Sequence, residues 1–400
     1  MQAVDTIILG AGPTGLSAAH RLIELGQSSF VVFERESEAG GLCRSRLVDG
    51  SPLDIGGGHF LDVRRPAVLE WLVRFLPRAS WREYDRISTI QVHGTQIDYP
   101  FEANLWQLPI ERQLDYLESI ARAGCVTGAA MPSGFREWIT WKLGDRIAAD
   151  YMLPYNEKIW SMDLSRLGTY WLHKLPSVSF RETLRSCLER KPSGTMPAHA
   201  KFLYPVEGGY GRVWEIMGRA LGERLLLGRA PRSLDVETLT IDGEYRARRI
   251  VTTLPWPELA RIAALPSAIR EQIGRLEHAA VEVAYRRENL DSTAHWIYVP
   301  DPAVPHHRLL LRHNFVPGAR GHWTETNARR AGGASGWRHV NEYAYPLNTL
   351  AKPTAVQAVT SWAAGKGIVA AGRWGEWEHM NSDVAVEAGW RAAERAVAAG

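Results

Sequence analysis

Thr6-Ile-Ile-Leu-Gly-Ala-Gly-Pro-Thr-Gly15 is the stretch that decides how this 400-residue chain is read. Residues 6–9 form a short apolar run of the kind that makes a buried strand, and Gly10, Gly12 and Gly15 follow with GxGxxG spacing. The apolar-periodic residues 16–25 predict the helix that completes a strand–turn–helix unit. In such a unit Gly10 permits the tight turn, Gly12 lets backbone approach a pyrophosphate, and Gly15 lets helix pack on strand. Pro13 and Thr14 open that helix, whose free N–H groups and dipole favour an anion. A second apolar run, Phe30–Phe33, ends at Glu34, where a carboxylate can accept both hydroxyls of an adenosine ribose.

The next residues select the dinucleotide. Glu34-Arg-Glu-Ser-Glu-Ala-Gly-Gly-Leu-Cys-Arg44 puts a glycine pair soon after the carboxylate, and Asp54-Ile-Gly-Gly-Gly-His59 adds a third cluster. Nicotinamide dehydrogenases do not usually add these glycines. FAD, lying extended, needs close backbone along its ribityl chain and isoalloxazine. In these motifs the chain resembles the large FAD superfamily of amine oxidases, protoporphyrinogen oxidases and UDP-galactopyranose mutases. The resemblance implies FAD held by Gly10, Gly12, Pro13, Thr14, Gly15, Glu34, Arg35, Gly41, Leu42, Arg44, Gly57, Gly58 and His59. Gly372, Arg373, Asn381 and Ser382 would border it from the C-terminal part.

Composition narrows the class. A hydrophobic share of 45% against 23% charged is that of an ordinary globular chain with a sizeable core. The net charge of +3 is too small for nucleic-acid binding but suits a local basic pocket. No apolar run approaches the roughly 18 residues of a membrane helix, so no membrane partner is expected. The N-terminus enters a strand directly, without the pattern of a signal peptide. Cys43, Cys125 and Cys187 are scattered and lack metal-ligand or CxxC spacing; a cytoplasmic protein without a metal is expected. Sixteen Trp supply a core and a surplus for stacking on flavin, base or sugar.

Further along, residues 64–76 have helical character, and residues 87–99 read as two strands about His93-Gly94. From 105 to about 175 apolar residues recur at i, i+3 and i+4, as in Leu114, Leu117, Ile120 and Ala121, predicting a cluster of helices. Residues 202–221 predict a strand and helix returning to the flavin unit, and 249–255 a strand of its parallel sheet. Alternation at 281–285, 295–299 and 308–312 predicts an antiparallel sheet, with residues 318–337 as a loop. A strand at 367–371 and a helix from Asp383 to Ala398 close the chain. The expected fold is α/β, with a discontinuous Rossmann-like FAD-binding domain over 1–95, 202–260 and 365–400. A helical insertion occupies 100–200, and an antiparallel sheet forming the substrate region occupies 275–350.

Three stretches are similar to the sugar mutases rather than the amine oxidases: Tyr155-Asn-Glu-Lys-Ile-Trp160, Asn341-Glu-Tyr-Ala-Tyr-Pro346 and Gly372-Arg-Trp-Gly-Glu-Trp-Glu-His379. The resemblance implies pyranose–furanose isomerisation of a UDP-galactose-like nucleotide sugar. In that chemistry N5 of reduced FAD attacks the anomeric carbon, and there is no net redox change. It implies His59 and Arg286 as catalytic residues, and Tyr155, Asn156, Trp160, Lys174, Arg286, Tyr345 and His379 as substrate ligands. NADH or NADPH would serve as external reductant, and the helical insertion offers a face for a homodimer. Two positions depart from the mutase pattern. Lys174 stands where an Arg is usual, replacing a bidentate grip by a point charge, and His379 replaces a Tyr. Two other readings remain open. One is an FAD oxidoreductase of the amine oxidase or protoporphyrinogen oxidase type, with Trp374 and Trp377 as paired aromatics at the flavin. The other is a flavin-binding protein without catalysis.

Overall fold

The computed structural model describes residues 1–62, 64–172, 178–194, 200–333 and 335–398. The opening strand Gln2–Leu9 lies at the middle of a sheet that is parallel except at one edge. Phe30–Phe33 pairs on one side, with Ile8 opposite Val32, and Tyr245–Thr252 on the other, with Ile8 opposite Val251. Leu225–Leu226 extends the sheet beyond Phe30–Phe33. The outer edge of Tyr245–Thr252 is shared: Thr240–Ile241 pairs antiparallel at its start and Ile368–Ala370 parallel at its end. These strands are continuous apolar runs because helices bury both faces.

On one face lie helix Pro13–Glu24 and the closing helix Ser382–Ala398, whose buried side includes Ala385, Ala388, Gly389, Ala392 and Ala393. Small residues let the two backbones approach. A Cβ added at Gly389 would sit 2.4 Å from the Thr14 carbonyl oxygen. The other face is covered by Trp256–Ile262, Ser267–Gly274 and Lys352–Gly365.

A second sheet runs in the order Arg338–Pro346, His278–Arg286, His322–Asn327, Arg308–Leu310, Trp296–Tyr298, Ser88–Val92 and Thr95–Asp98. Its strands are antiparallel except where Trp296–Tyr298 meets Ser88–Val92. Two sequence expectations change here. Residues 318–337 are not one loop, because the buried strand His322–Asn327 lies at the middle of the sheet. The hairpin turning at His93 and Gly94, both with positive φ, joins this sheet and not the flavin unit.

The expected helical cluster is present as Ile110–Ala121, Gly124–Thr127, Phe135–Ile147, Leu153–Trp160 and Phe180–Glu189. It has its own core of Phe101, Tyr116, Ile120, Phe135, Ile139 and Tyr151. Lys201–Pro205 departs from expectation. It pairs with Leu61–Asp62 and Trp81–Asp85 in a separate three-stranded sheet instead of joining the parallel one, while its side chains and the following helix, Gly211–Ala220, share a core with the parallel unit.

Candidate active site

The glycine loop has the geometry its spacing implies. Gly10 adopts a φ of +98°, and a Cβ added at Gly15 would lie 1.9 Å from the Gly10 carbonyl oxygen. Gly12 is the N-cap of helix Pro13–Glu24, which begins with Pro13 and carries no acidic residue in its first turn. The Glu34 carboxylate, 7% exposed, accepts the N–H of Ala11 at 2.7 Å and that of Glu36 at 3.0 Å. This fixes it at the end of the second strand, beside the loop.

Gly12 faces Gly41 so closely that a Cβ on Gly41 would come within 3.1 Å of the Gly12 Cα. Gly372, with φ of +74°, is equally close to Thr14, since a Cβ added to it would lie 2.4 Å from the Thr14 hydroxyl oxygen. The result is a lane without side chains at a bare helix N-terminus, which fits the pyrophosphate of a dinucleotide. Arg44 stands over this lane, donating Nε to the Gly41 carbonyl at 2.9 Å and pairing with Glu36 at 2.9 Å. Arg35 points outward to Glu36. The Ser382 hydroxyl pairs with Tyr210, and the Asn381 carbonyl accepts the Ala385 N–H inside the closing helix.

The lane continues into the third glycine cluster, where a Cβ on Gly56 would collide with the Leu42 carbonyl oxygen at 2.0 Å. Gly58 donates its N–H to Glu325 Oε1 at 2.8 Å, and His59 Nδ1 lies 3.2 Å from the Gly57 carbonyl. Glu325 Oε2 accepts both Nε and Nη2 of Arg308, at 2.8 and 2.5 Å. Arg308 Nη2 also lies 3.3 Å from the Tyr345 hydroxyl. Its Nη1 has no hydrogen-bond partner among the described residues. Around this guanidinium stand Trp160, edge-on to Tyr345 at 5.7 Å, His379 at 5.4 Å from Tyr345, and Tyr155 against Tyr298 and His307. Arg373 is held by the carbonyls of Ala344 and Met380.

Electrostatics follow from burial. Burial alone would raise the Glu325 carboxyl, but Arg308, His307 and the Gly58 N–H outweigh it and hold it at about 2. Burial raises the phenols of Tyr155 and Tyr345, which therefore remain hydrogen-bond donors at neutral pH. Burial, helped by Arg373, lowers His59 to about 4, so its imidazole is neutral at pH 7. The unfolded chain takes up this proton below about 6.5, so His59 costs the fold stability as pH falls from there toward 4. The ceiling is about 3 kcal/mol. Comparing urea denaturation of wild type and His59→Gln at pH 7 and pH 4.5 checks this. The substitution should close part of the acid loss, and equal pH slopes would refute it.

The structure brings His59, Tyr155, Trp160, Tyr345, His379 and Arg373 together and leaves others apart. Arg286 is on the wrong face of the second sheet. It is opposite His322, whereas Glu325 is opposite Val283 and Arg308, and alternate residues face opposite sides. Its Nη1 is instead near the carbonyls of Tyr285 and Ser335. Asn156 is committed internally, donating to Met152 O and accepting from Trp160 Nε1. Lys174 lies outside the described residues. Trp374 and Trp377 are buried in the core with Tyr343 and His278. Sequence reasoning missed Arg308, whose only signal was its place in an alternating strand, and Glu325, hidden in the polar run His322-Trp-Thr-Glu-Thr-Asn327.

A parallel dinucleotide-binding unit continuous with a second sheet and a helical layer defines an FAD-type flavoprotein architecture. The model of the flavin containing amine oxidoreductase family matches residues 13–336, and the chain belongs to that family. A solved structure of reduced UDP-galactopyranose mutase superposes with a TM-score of 0.88 over 99% of this chain and 96% of that one, at 23% identity. A structure described as a protoporphyrinogen oxidase from Exiguobacterium sp. 255-15 gives 0.72 over 98% of each chain, at 15% identity. Putrescine oxidase of Kocuria rosea is 43% identical over 53 residues, which is 13% of this chain and only 11% of that relative's length. Among the described residues no helix is long and apolar enough to cross a membrane.

Proposed function

We propose that the protein is an FAD-dependent mutase interconverting the pyranose and furanose forms of a UDP-galactose-like nucleotide sugar. One observation carries the proposal. A guanidinium with a free edge, that of Arg308, stands beside the protonated phenol of Tyr345, with Tyr155 close by, at the end of the glycine lane. The overall likeness in fold to a mutase supports it.

FAD, bound in its reduced state, would supply an electron-rich ring atom as nucleophile toward the anomeric carbon. The residues then have to hold the departing nucleoside diphosphate close and exclude water. Arg308 Nη1 and the phenols of Tyr345 and Tyr155 suit the developing negative charge. Trp160 forms a wall for the sugar, and His379 borders Tyr345. Neutral His59 lies at the glycine loop, and Arg373 brings a fixed positive charge to the same region.

The chief alternative is substrate oxidation, which the family also includes. Trp374 and Trp377, the paired aromatics that this reading drew on, pack in the core with Tyr343, which speaks against it. The test compares oxidised and dithionite-reduced holoenzyme with UDP-galactofuranose under nitrogen. Conversion to UDP-galactopyranose by the reduced form only, with no oxygen uptake in air, is expected; NADH and NADPH are then compared as reductants. Amine-dependent bleaching of the oxidised flavin, without sugar exchange, would defeat the proposal.

A further inference from the structure

The geometry points to Glu325 as a positioning residue that ties the glycine loop at residues 57–59 to Arg308, making cofactor backbone and diphosphate ligand one mechanical unit. Its carboxylate is 1% exposed and touches both parts: Oε1 takes the Gly58 N–H, and Oε2 takes Nε and Nη2 of Arg308. The contact with the loop is tight, since a Cβ on Gly57 would lie 2.4 Å from Oε1. With one edge of the guanidinium held by Glu325, the remaining Nη1 has a fixed direction. Lost freedom on ligand binding is correspondingly small. His307 Nε2, fully buried, lies 3.7 Å from Oε2, beyond hydrogen-bond distance, so the anchor consists of the Gly58 and Arg308 contacts. Glu325 itself is enclosed by these partners and offers no oxygen to an anionic substrate, so it acts through Arg308.

This inference rests on the nucleotide-sugar reading for the identity of the ligand, and its test separates the two. By charge alone, removing a carboxylate next to an anion site tightens anion binding, because a repulsion disappears. A positioning role predicts the opposite sign. UDP and inorganic pyrophosphate are titrated against FAD-loaded wild type, Glu325→Gln, Glu325→Asp and Arg308→Lys, following both Kd and the visible spectrum of the flavin. Expected are a Kd weakened at least tenfold in Glu325→Gln and a partial recovery in Glu325→Asp. Binding should shift the flavin spectrum in wild type and leave it unmoved in Glu325→Gln. Loss of flavin content is measured alongside; should Glu325→Gln fail to load, Glu325→Asp carries the comparison. Unchanged or tighter binding without the carboxylate would overturn the tether and leave the mutase proposal standing. Pyrophosphate binding with the expected dependence, but no response to UDP, would remove the nucleotide-sugar reading and keep the tether. Failure of wild type to take either probe would overturn both.

Discussion

Replacing Arg308 with alanine is expected to lower kcat/KM for nucleotide-sugar exchange by about 10³. An alanine removes every donor the guanidinium offers to a diphosphate, and one charge-stabilising donor group in a dry site accounts for roughly 3–4 kcal/mol. It also strands Glu325, a buried carboxylate whose ionised state depends on Arg308. Breaking such a pair costs stability on the order of 3–5 kcal/mol. The two effects are separable. Arg308→Ala combined with Glu325→Gln should recover much of the lost stability while turnover stays low. Steady-state kinetics and urea denaturation on the flavin-loaded proteins read both quantities. Turnover within threefold of wild type in Arg308→Ala would remove this residue from the site.

The second large effect concerns the cofactor. Gly15→Ala is expected to leave the protein nearly colourless, with at least a tenfold fall in the 450 nm to 280 nm absorbance ratio. The added Cβ meets backbone, the Gly10 carbonyl oxygen at 1.9 Å, and no rotamer relieves a clash with main chain. Either the loop opens or the helix shifts, and both spoil the approach to a pyrophosphate. Gly274→Ala is the control. Apart from its chain neighbours and its own helix backbone, no heavy atom lies within 4 Å of the added Cβ, so full flavin content is expected. A Gly15→Ala protein as yellow as this control would show that the loop does not hold the dinucleotide.

These two predictions mark where sequence was sufficient and where it was not. The glycine loop was legible because its requirements are local: turn, close approach and helix start all fall within a few residues of one another. Arg308 was not legible for a specific reason. Period-two alternation sorts strand residues into two faces without saying which face meets the glycine lane. Arg286 and Arg308 both stand on alternating strands of one sheet, and only the pairing register places Arg308 with Glu325 and Arg286 away from it. Glu325 was obscured further. Its strand is buried along all six residues, with Asn327 tied to Ile159 of the helical layer and Glu325 to the Gly58 loop, so no polar–apolar alternation appears. The hairpin Ser88–Asp98 was recognised as a hairpin through its turn, but its partner strand Trp296–Tyr298 lies some two hundred positions away and leaves no local trace.

The contacts of Thr14 with Gly372 and Gly389 bear on the order of events during synthesis. The glycine loop leaves the ribosome long before its neighbours on the closing side, which emerge only once residues 372–398 have been made. Throughout most of translation the anion site therefore has a floor and no wall. Flavin capture is then expected to follow the synthesis of residues 372–398, and a ribosome stalled before residue 372 should release a chain that carries the glycine loop with little hold on the cofactor.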